Sequence, residues 1–434
     1  MSSTSLRSRG SVTARGIALL AASSLVLAAC GGGADDPKKD DAAASSDAAG
    51  GAGTGAAGER DLTLKVGTVL PQTGNLAFLG PPEEAGVMLA AQDINEADAG
   101  IKVEVTYGDS GDTDNKAYAT TVPQLLNAGV SVIVGAASSG VSKLFLDEVT
   151  AAGVLMISPA NTSPDFTDWN DQGLYWRTAP SDLLQGEVLG NLVASDGRET
   201  VGILYINDAY GTGLEAAFKE AYEAAGGKVV ASESYNVGDT TFDAQLSSLT
   251  AAAPDAMVLI TFDEIKTILP ALGQAKVDTS KLYFVDGNIA DYSETMKKPS
   301  LKGSKGTQPG PALADDFLER MNTAWIDSGK KELTDLNYAG ESYDAVILTA
   351  LAALAANSTD GKEIASKMQE VSGGSGEGEK ATEFKAAAKI ITDGGVVDWD
   401  GPSGPVTFND KGDPTEATIG IYEYQDDNSL KRIN

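Results

Sequence analysis

The amino-acid sequence predicts an α/β protein in which two lobes are each built on a parallel β-sheet. Short runs of apolar and β-branched residues alternate with longer helical stretches, which is typical of repeated β-α-β units. This alternation occurs in two separate series along the chain. The segment 60–434 is also longer than one hydrophobic core usually supports, so two lobes are expected.

The strand-like runs are spaced at one β-α-β step. In the first series they begin near four positions: Lys65, Ile101, Val130 and Val154. In the second series they begin near four more: Thr200, Lys228, Ala256 and Lys281. A helical stretch separates each run from the next, and one of these helices is predicted over 141–152.

A mainly helical block follows the second series. Helices are predicted over 312–325, 342–356, 362–371 and 382–391, and short strands over 406–408 and 418–424. In open parallel sheets, ligands bind beyond the carboxyl ends of the strands. The loops at the strand ends are therefore the first candidates for a functional site.

The first sixty residues predict export. Arg7, Arg9 and Arg15 precede an apolar run over 17–27, which has the profile of a secretory signal and is too short to span a bilayer. The run ends in Leu-Ala-Ala-Cys, which resembles the lipobox of bacterial lipoproteins and implies lipidation of Cys30, the only cysteine. An ordinary signal peptide is the alternative. Residues 1–29 are read as the signal peptide, and 30–60, which lack large apolar side chains over 31–58, as a lipidated flexible tether.

Composition excludes several classes of function. The chain has no histidine, which removes Ser-His-Asp hydrolases and histidine-ligated zinc sites. Its formal net charge of -30 repels nucleic acid, so no nucleic-acid partner is expected. Because no side chain ionises near neutrality when unperturbed, ligand affinity is expected to be nearly flat from pH 6 to 8.

Four strand-end loops and several later motifs occur in a distinctive order. The loops are 135–140 (GAASSG), 158–164 (SPANTSP), 207–211 (NDAYG) and 286–287 (DG), and the later motifs lie at 343–345, 404–408 and 410–413. With LPQTG at 70–74, they resemble the periplasmic leucine/isoleucine/valine-binding protein family from Asp61 to about Tyr424. The resemblance implies a type I periplasmic binding protein, with two Rossmann-like lobes joined by a three-stranded hinge. Lobe 1 would comprise 61–180 plus 308–414, and lobe 2 would comprise 181–307 plus 415–434.

The resemblance implies a function as well as a fold. It indicates an extracytoplasmic solute-binding lipoprotein of an ABC importer that closes around an amino acid-like ligand, with the branched-chain type favoured. Its partners would be the small-molecule ligand, an ABC permease and the membrane that holds the lipid anchor, and a monomer without cofactor or metal is expected. Two alternatives stay open: a ligand sensor of the same fold, and an importer component for an amide, urea or aromatic acid.

Three residues of the resemblance would hold the ligand carboxylate. Ser139 is similar in place to the family's carboxylate-binding serine, and it also stands where a helix start would offer free N–H groups. Simple capping of that helix by Ser138 or Ser139 is the alternative. Ala160 and Thr162 occupy the next strand-end loop, which also fits a plain turn between two prolines.

Four further residues would line the rest of the pocket. Tyr210 matches a ligand-facing aromatic, and Asp286 matches the acidic residue that holds the ligand's ammonium group, although each also fits an ordinary turn. Phe262 stands near a position where the family tends to carry a tyrosine, and Leu79 where an aromatic often packs on the ligand side chain.

Three competing motifs carry weaker signals. Gly211-Thr212-Gly213 with Ala216 fits a dinucleotide fingerprint, but polar residues separate it from the preceding strand. Ser328 with Lys331 has the spacing of a serine/lysine nucleophile, yet it reads as a helix stop followed by glycine. Acidic residues at 109, 112 and 114 lack the glycine and terminal glutamate of a calcium loop and are expected to be solvated.

Overall fold

The computed structural model describes residues 60–434. The predicted signal peptide, Cys30 and the tether up to residue 59 lie outside the described residues.

The first β-α-β series comprises five strands and four helices, which are listed here in chain order: β1 (Leu62–Val69), α1 (Gly80–Ala97), β2 (Ile101–Thr106), α2 (Tyr118–Ala128), β3 (Val132–Gly135), α3 (Ser139–Ser142), α4 (Leu146–Ala151), β4 (Leu155–Ser158) and β5 (Tyr175–Arg177). The second series comprises α5 (Asp182–Ser195), β6 (Thr200–Ile206), α6 (Ala209–Ala224), β7 (Lys228–Tyr235), α7 (Asp243–Ala251), β8 (Ala256–Ile260), α8 (Ile265–Gln274), β9 (Leu282–Phe284) and β10 (Lys305–Pro309). The remaining elements are α9 (Asp315–Asp327), α10 (Ala339–Ala356), α11 (Gly361–Val371), β11 (Glu379–Ala381), α12 (Phe384–Thr392), β12 (Val397–Gly401), β13 (Gly404–Pro405), β14 (Ile419–Tyr424) and β15 (Leu430–Arg432).

These strands form two large sheets and one small one. The first sheet has the order β2-β1-β3-β4-β5 and is parallel throughout. The second has the order β15-β14-β10-β9-β8-β6-β7, parallel from β10 to β7, with β14 and β15 added in antiparallel pairing. The small sheet pairs β11, β12 and β13. The predicted α/β architecture with parallel sheets in two lobes is confirmed, and the antiparallel edge of the second sheet is an addition to it.

The C-terminal helices return to the first sheet. Helices α9 to α12 share a hydrophobic core with α1 and the first-sheet strands, and this body is called lobe 1 below. The second sheet with α5 to α8 has its own core and is called lobe 2. The chain therefore passes between the lobes three times, after β5, after β10 and before β14.

Helix α10 is the central helix of the lobe 1 core. It is the one helix among residues 60–434 that is long and apolar enough to cross a membrane. Because 89% of its 18 residues are buried within the protein, its apolar composition reflects its place in the core.

Two predicted elements differ from the structure. The helix predicted over 141–152 is interrupted, because Phe145 leaves the helical conformation with φ of -134° and buries its ring against Tyr118. The strand predicted over 406–408 is absent, because Thr407 adopts a left-handed φ of 33° that extended pairing does not allow, and Phe408 makes only a single bridge to Pro414.

Candidate functional site

Strand-end loops from both lobes meet at a narrow cleft with a free volume of about 10 Å³, which is room for about one water molecule. Six of the seven predicted ligand-binding residues line it: Leu79, Ser139, Ala160, Tyr210, Phe262 and Asp286. The other lining residues are Leu76, Ala137, Ser138, Gly287 and Tyr338, which the sequence reasoning did not select. All six predicted residues are buried, so the two lobes are closed on each other around this cleft.

The α3 turn provides two serines with different roles. Ser138 is the helix cap, since its hydroxyl accepts a hydrogen bond from the Val141 N–H at 3.3 Å. Ser139 is then the first helical residue, and its Oγ accepts from the Ser163 N–H at 3.3 Å. Because α3 spans only four residues, the long helix dipole expected behind Ser139 is not present. Ser139 therefore offers its hydroxyl and nearby N–H groups to the cleft in place of a helix dipole.

The loop after β4 is held rigid by its own side chains. Ser158 Oγ accepts from the N–H groups of Ala160 at 3.2 Å and Asn161 at 2.9 Å. Thr162 is buried and its Oγ1 has no hydrogen-bond partner. It does not line the cleft, but its carbonyl accepts from the Asp182 N–H at 2.7 Å, so it joins this loop to the start of α5.

Arg177 also holds the loop after β4 in place. Its guanidinium lies 2.6 Å from Asp413 in a buried ion pair and donates to the carbonyls of Asn161 at 3.2 Å and Ser163 at 2.7 Å. The Asp-Lys-Gly-Asp motif at 410–413 therefore has a structural partner at the end of β5. The sequence reasoning did not identify this contact because Arg177 and Asp413 are distant in the chain.

Asp286 follows β9 and receives three side-chain hydrogen bonds. Its Oδ1 accepts from Tyr210 Oη at 2.7 Å and from Gln185 Nε2 at 2.9 Å, and its Oδ2 accepts from Tyr338 Oη at 2.6 Å. Burial raises the pKa of Asp286, and these three donors oppose that rise. The carboxylate is thus oriented by both lobes while it retains lone pairs for a further donor.

Asp182 is a second buried carboxylate that the sequence reasoning missed. It is the first residue of α5, it is fully buried, and neither of its carboxylate oxygens has a hydrogen-bond partner. Burial raises its pKa well above the ordinary range, and the nearby charge of Asp286 raises it further, whereas the neighbouring Thr162 hydroxyl and the charge of Arg177 oppose the rise. The Thr-Ala-Pro-Ser-Asp sequence over 178–182 signals only a capped helix start, so nothing local predicted a buried carboxylate at Asp182.

The remaining wall of the cleft is apolar. The rings of Tyr210 and Phe262 stack with centroids 5.2 Å apart and planes 15° from parallel. Leu76 and Leu79 come from the loop after β1 and add to this apolar lining. A ligand side chain in this part of the cleft would meet mainly carbon atoms.

The charge in the cleft is one-sided. Neither Asp182 nor Asp286 forms an ion pair with a lysine or arginine among residues 60–434, and no basic side chain lines the cleft. Buried carboxylates without a cationic partner favour protonation or a cation supplied by a ligand. The same described residues contain no group of three or more acidic, histidine or cysteine side chains arranged to hold a metal ion.

The competing motifs have structural explanations. Gly211 and Gly213 lie inside the first turns of α6 rather than in a strand-to-helix loop, so the dinucleotide fingerprint is not formed. Ser328 caps the end of α9, as expected for a helix stop. Asp109 and Asp112 accept hydrogen bonds from the N–H groups of Thr73 and Asn75, both at 3.1 Å. These two carboxylates therefore hold the loop after β1 and are not simply solvated.

Comparison with known proteins identifies relatives over most of the chain. The leucine-, isoleucine-, valine-, threonine- and alanine-binding protein of Pseudomonas aeruginosa is 27% identical over 372 residues, which cover 84% of this chain and 91% of that protein. The leucine-binding protein LivK of Thermotoga maritima has a TM-score of 0.70 at 20% identity, covering 86% of this chain and 98% of that one. A solute-binding protein of an ABC transporter from R. palustris, in complex with 4-hydroxybenzoate, has a TM-score of 0.69 at 16% identity, covering 86% and 96%.

The two solved structures share the fold with this chain. The sequence profile described as "periplasmic binding protein" matches residues 63–427, which is most of the chain. The resemblance found in the sequence is thereby confirmed: this chain belongs to the periplasmic binding protein family, whose members bind solutes and are not enzymes.

Proposed function

We propose that this protein is the solute-binding component of an ABC importer and that it captures an α-amino acid with an apolar, branched side chain. The observation that carries the proposal is the polarity of the cleft. Hydroxyl and backbone groups around Ser139 and Ala160 line one part of it and the Asp286 carboxylate lines another, and the charge of Asp286 acts on a second buried carboxylate, Asp182. A ligand that bears an anionic and a cationic group matches both parts.

The ammonium group of the ligand would supply the positive charge that the acidic part of the cleft lacks. A cation beside Asp286 would relieve the repulsion between this carboxylate and Asp182 and replace the water that burial removes. The ligand carboxylate would accept from Ser139 and from N–H groups of the two neighbouring loops. Lobe 1 would bind first, and Tyr210, Phe262 and Asp286 of lobe 2 would close over the ligand.

The apolar wall sets the side-chain preference. Leu76, Leu79 and Phe262 offer no hydrogen-bonding side-chain group to the ligand, and the closed cleft between them is narrow. A branched aliphatic side chain fits such a surface by burial of apolar area. The relatives named for leucine, isoleucine and valine support this preference.

Aromatic acids form the alternative ligand class. The relative that holds 4-hydroxybenzoate shows that this fold accommodates such a ligand, and the stacked rings of Tyr210 and Phe262 offer an aromatic surface. A ligand without an amine would, however, leave two buried carboxylates without a cation. The amino acid is therefore favoured.

Transport requires a membrane partner and a means of retention. We propose that the closed lobes are recognised by an ABC permease and that lipid on Cys30 holds the protein at the outer face of the membrane. The lobes are taken as 61–180 plus 308–414 and 181–307 plus 415–434, with the three passages between them as the hinge. The alternative function is a ligand sensor of the same fold, in which a signalling partner recognises the closed lobes; it would use the same cleft.

Calorimetric titration with matched ligands tests the proposal. L-Leucine, L-isoleucine and L-valine are compared with 4-methylpentanoate, which is leucine without its amine, and with 4-hydroxybenzoate. We expect micromolar or tighter binding of at least one amino acid, about -8.2 kcal/mol or below, and at least hundredfold weaker binding of 4-methylpentanoate. Preference for either acid that lacks an amine would show that the amino-acid assignment is wrong.

A further inference from the structure

A second point of contact between the lobes lies outside the ligand cleft. Asp208 of lobe 2 follows β6 and caps α6, because its Oδ1 accepts from the Gly211 N–H at 2.8 Å. Its Oδ2 lies against Gly140 of α3 in lobe 1, so close that a methyl group placed on Gly140 would be 3.1 Å from this oxygen. The contact exists only while the two lobes are together.

The outer carboxylate oxygen of Asp208 is buried by this contact. The residue as a whole is partly exposed, yet Oδ2 is shielded from solvent and has no hydrogen-bond partner. The groove around it is lined by Lys116, Gly140 and Lys143 from lobe 1 and by Asn207 and Asn236 from lobe 2. None of these residues lines the ligand cleft.

The neighbouring charges do not compensate for this burial. Lys143 is a cation whose charge acts on Asp208, but its ammonium already pairs with Asp165 at 2.6 Å. Glu264, at the start of α8, adds negative charge.

The charge of Asp208 also raises the pKa of two groups on other elements: Asp182 at the start of α5 and Tyr235 at the end of β7. Burial raises the pKa of Asp208 to about 6, the N–H groups of Gly211 and Tyr210 oppose the rise, Glu264 adds to it, and Lys143 opposes it.

We propose that closure of the cleft captures a proton from solvent at Asp208, so that the protein holds its ligand more tightly under mildly acidic conditions. An ionised carboxylate loses hydration when Gly140 covers it and gains no new partner, whereas a protonated one loses much less. When the lobes separate, water hydrates Oδ2 again and the pKa of Asp208 returns to its ordinary range. Closure and protonation therefore favour each other by linkage. This inference rests on the hinge closure proposed above and adds its regulation.

The matched variants are Asp208→Asn and Asp360→Asn. Asparagine keeps an oxygen for the α6 cap and resembles the protonated acid. Asp360 also caps a helix, α11, through hydrogen bonds from Lys362 and Glu363, but it is exposed on lobe 1 and away from both the cleft and Gly140. It therefore controls for the loss of a capping charge as such.

The first readout is the affinity for L-leucine, measured by calorimetry at pH 5, 6 and 7. The pKa of Asp208 rises from its ordinary value in the open state to about 6 in the closed state. Linkage then predicts that the wild-type affinity falls about tenfold between pH 5 and pH 7 relative to Asp208→Asn. Both proteins retain Asp182 and Asp286, so the ratio removes the titration of these two groups except for the part of the Asp182 shift that depends on the charge of Asp208. Asp208→Asn is also expected to bind more tightly than wild type at pH 7, and Asp360→Asn should follow wild type.

The second readout does not depend on the identity of the ligand. Spin labels on Lys102→Cys of lobe 1 and Lys219→Cys of lobe 2, both exposed and outside the cleft and the groove, report the distance between the lobes by double electron–electron resonance in a chain that carries Cys30→Ser. We expect the ligand-free closed fraction to be larger at pH 5 than at pH 7 in wild type and less dependent on pH in Asp208→Asn. If leucine does not bind but this difference is found, the proposed ligand is wrong and the inference stands. Equal pH dependence of the closed fraction in both proteins overturns the inference, whether or not leucine binds.

Discussion

The phenol of Tyr338 donates a 2.6 Å hydrogen bond to Asp286 Oδ2 and thereby joins the start of α10 to the strand-end loop of the second sheet. Tyr338 reaches this position with a left-handed φ of 61° immediately before the helix. Tyr210 approaches the other oxygen of the same carboxylate from α6. The acidic side of the cleft is thus assembled from three separate segments.

Replacement of Asp286 by leucine tests whether it holds a ligand ammonium group. If an ammonium group is buried against Asp286, its loss leaves that charge without one of its partners, and removal of one member of a buried pair typically costs about 3 to 5 kcal/mol. Ser139→Ala should cost less, about 1 to 3 kcal/mol, since nearby N–H groups remain for the carboxylate. Calorimetric titration with leucine measures both, and binding by Asp286→Leu within threefold of wild type would contradict the assignment.

Tyr338→Phe and Tyr210→Phe each remove one donor from Asp286. Hydrogen bonds to a charged group contribute about 1.5 to 3 kcal/mol, so each variant should bind leucine about tenfold to a hundredfold more weakly. Asp286→Asn provides the control, because in that background the two phenol donors no longer meet a carboxylate. If Tyr338→Phe weakens binding equally with and without Asp286→Asn, the hydrogen bond is not the cause.

The stability of the protein should depend on Glu341. This residue is buried at the start of α10, and burial raises its pKa to about 8, with the charge of Asp344 adding to the rise. The folded state therefore binds a proton more strongly than the unfolded state. The associated stability is fully present below the ordinary glutamate range and is lost as the pH rises through about 8.

Urea unfolding between pH 5 and 9 measures this effect. The free energy of unfolding of wild type should fall with rising pH relative to Glu341→Gln, by several kcal/mol at an order-of-magnitude level. Exposed Glu332→Gln serves as the control. Parallel curves for wild type and Glu341→Gln would show that Glu341 carries no proton in the folded protein at neutral pH.

The ion pair of Arg177 with Asp413 should matter for both stability and binding. It is buried at 2.6 Å, and Asp413→Asn leaves the guanidinium without its anion, at a cost of about 3 to 5 kcal/mol. Because Arg177 also holds the carbonyls of Asn161 and Ser163, ligand affinity should fall as well. The neighbouring pair of Lys411 with Asp168 is exposed, so Lys411→Met should have little effect on stability. Equal effects of the two variants in thermal unfolding would refute this difference.

Cys30→Ser tests the lipid anchor independently of the cleft. The variant should be released from the membrane fraction while its affinity for leucine is unchanged, since residue 30 precedes both lobes. Retention of the variant in the membrane fraction would rule out lipidation of Cys30 as the means of attachment.

The sequence by itself determined the fold class, because strand-like runs and helices alternate with a regular period that depends only on local composition. It also located the strand ends, and six of the seven residues chosen there line one cleft. Local pattern was less reliable where packing intervened, as in the helix that Phe145 interrupts.

Only the tertiary structure decided which acidic residues are buried and what surrounds them. Histidine is absent, and yet Asp344 has its pKa raised by burial to about 7 and Glu341 to about 8, so the expectation of pH-independent behaviour loses its basis. Asp182, Gln185 and Tyr338 surround Asp286 although they lie far from it in the chain. The physical reason is that desolvation and the charge of neighbours depend on which distant segments pack together, and residue spacing along a single segment does not contain that information.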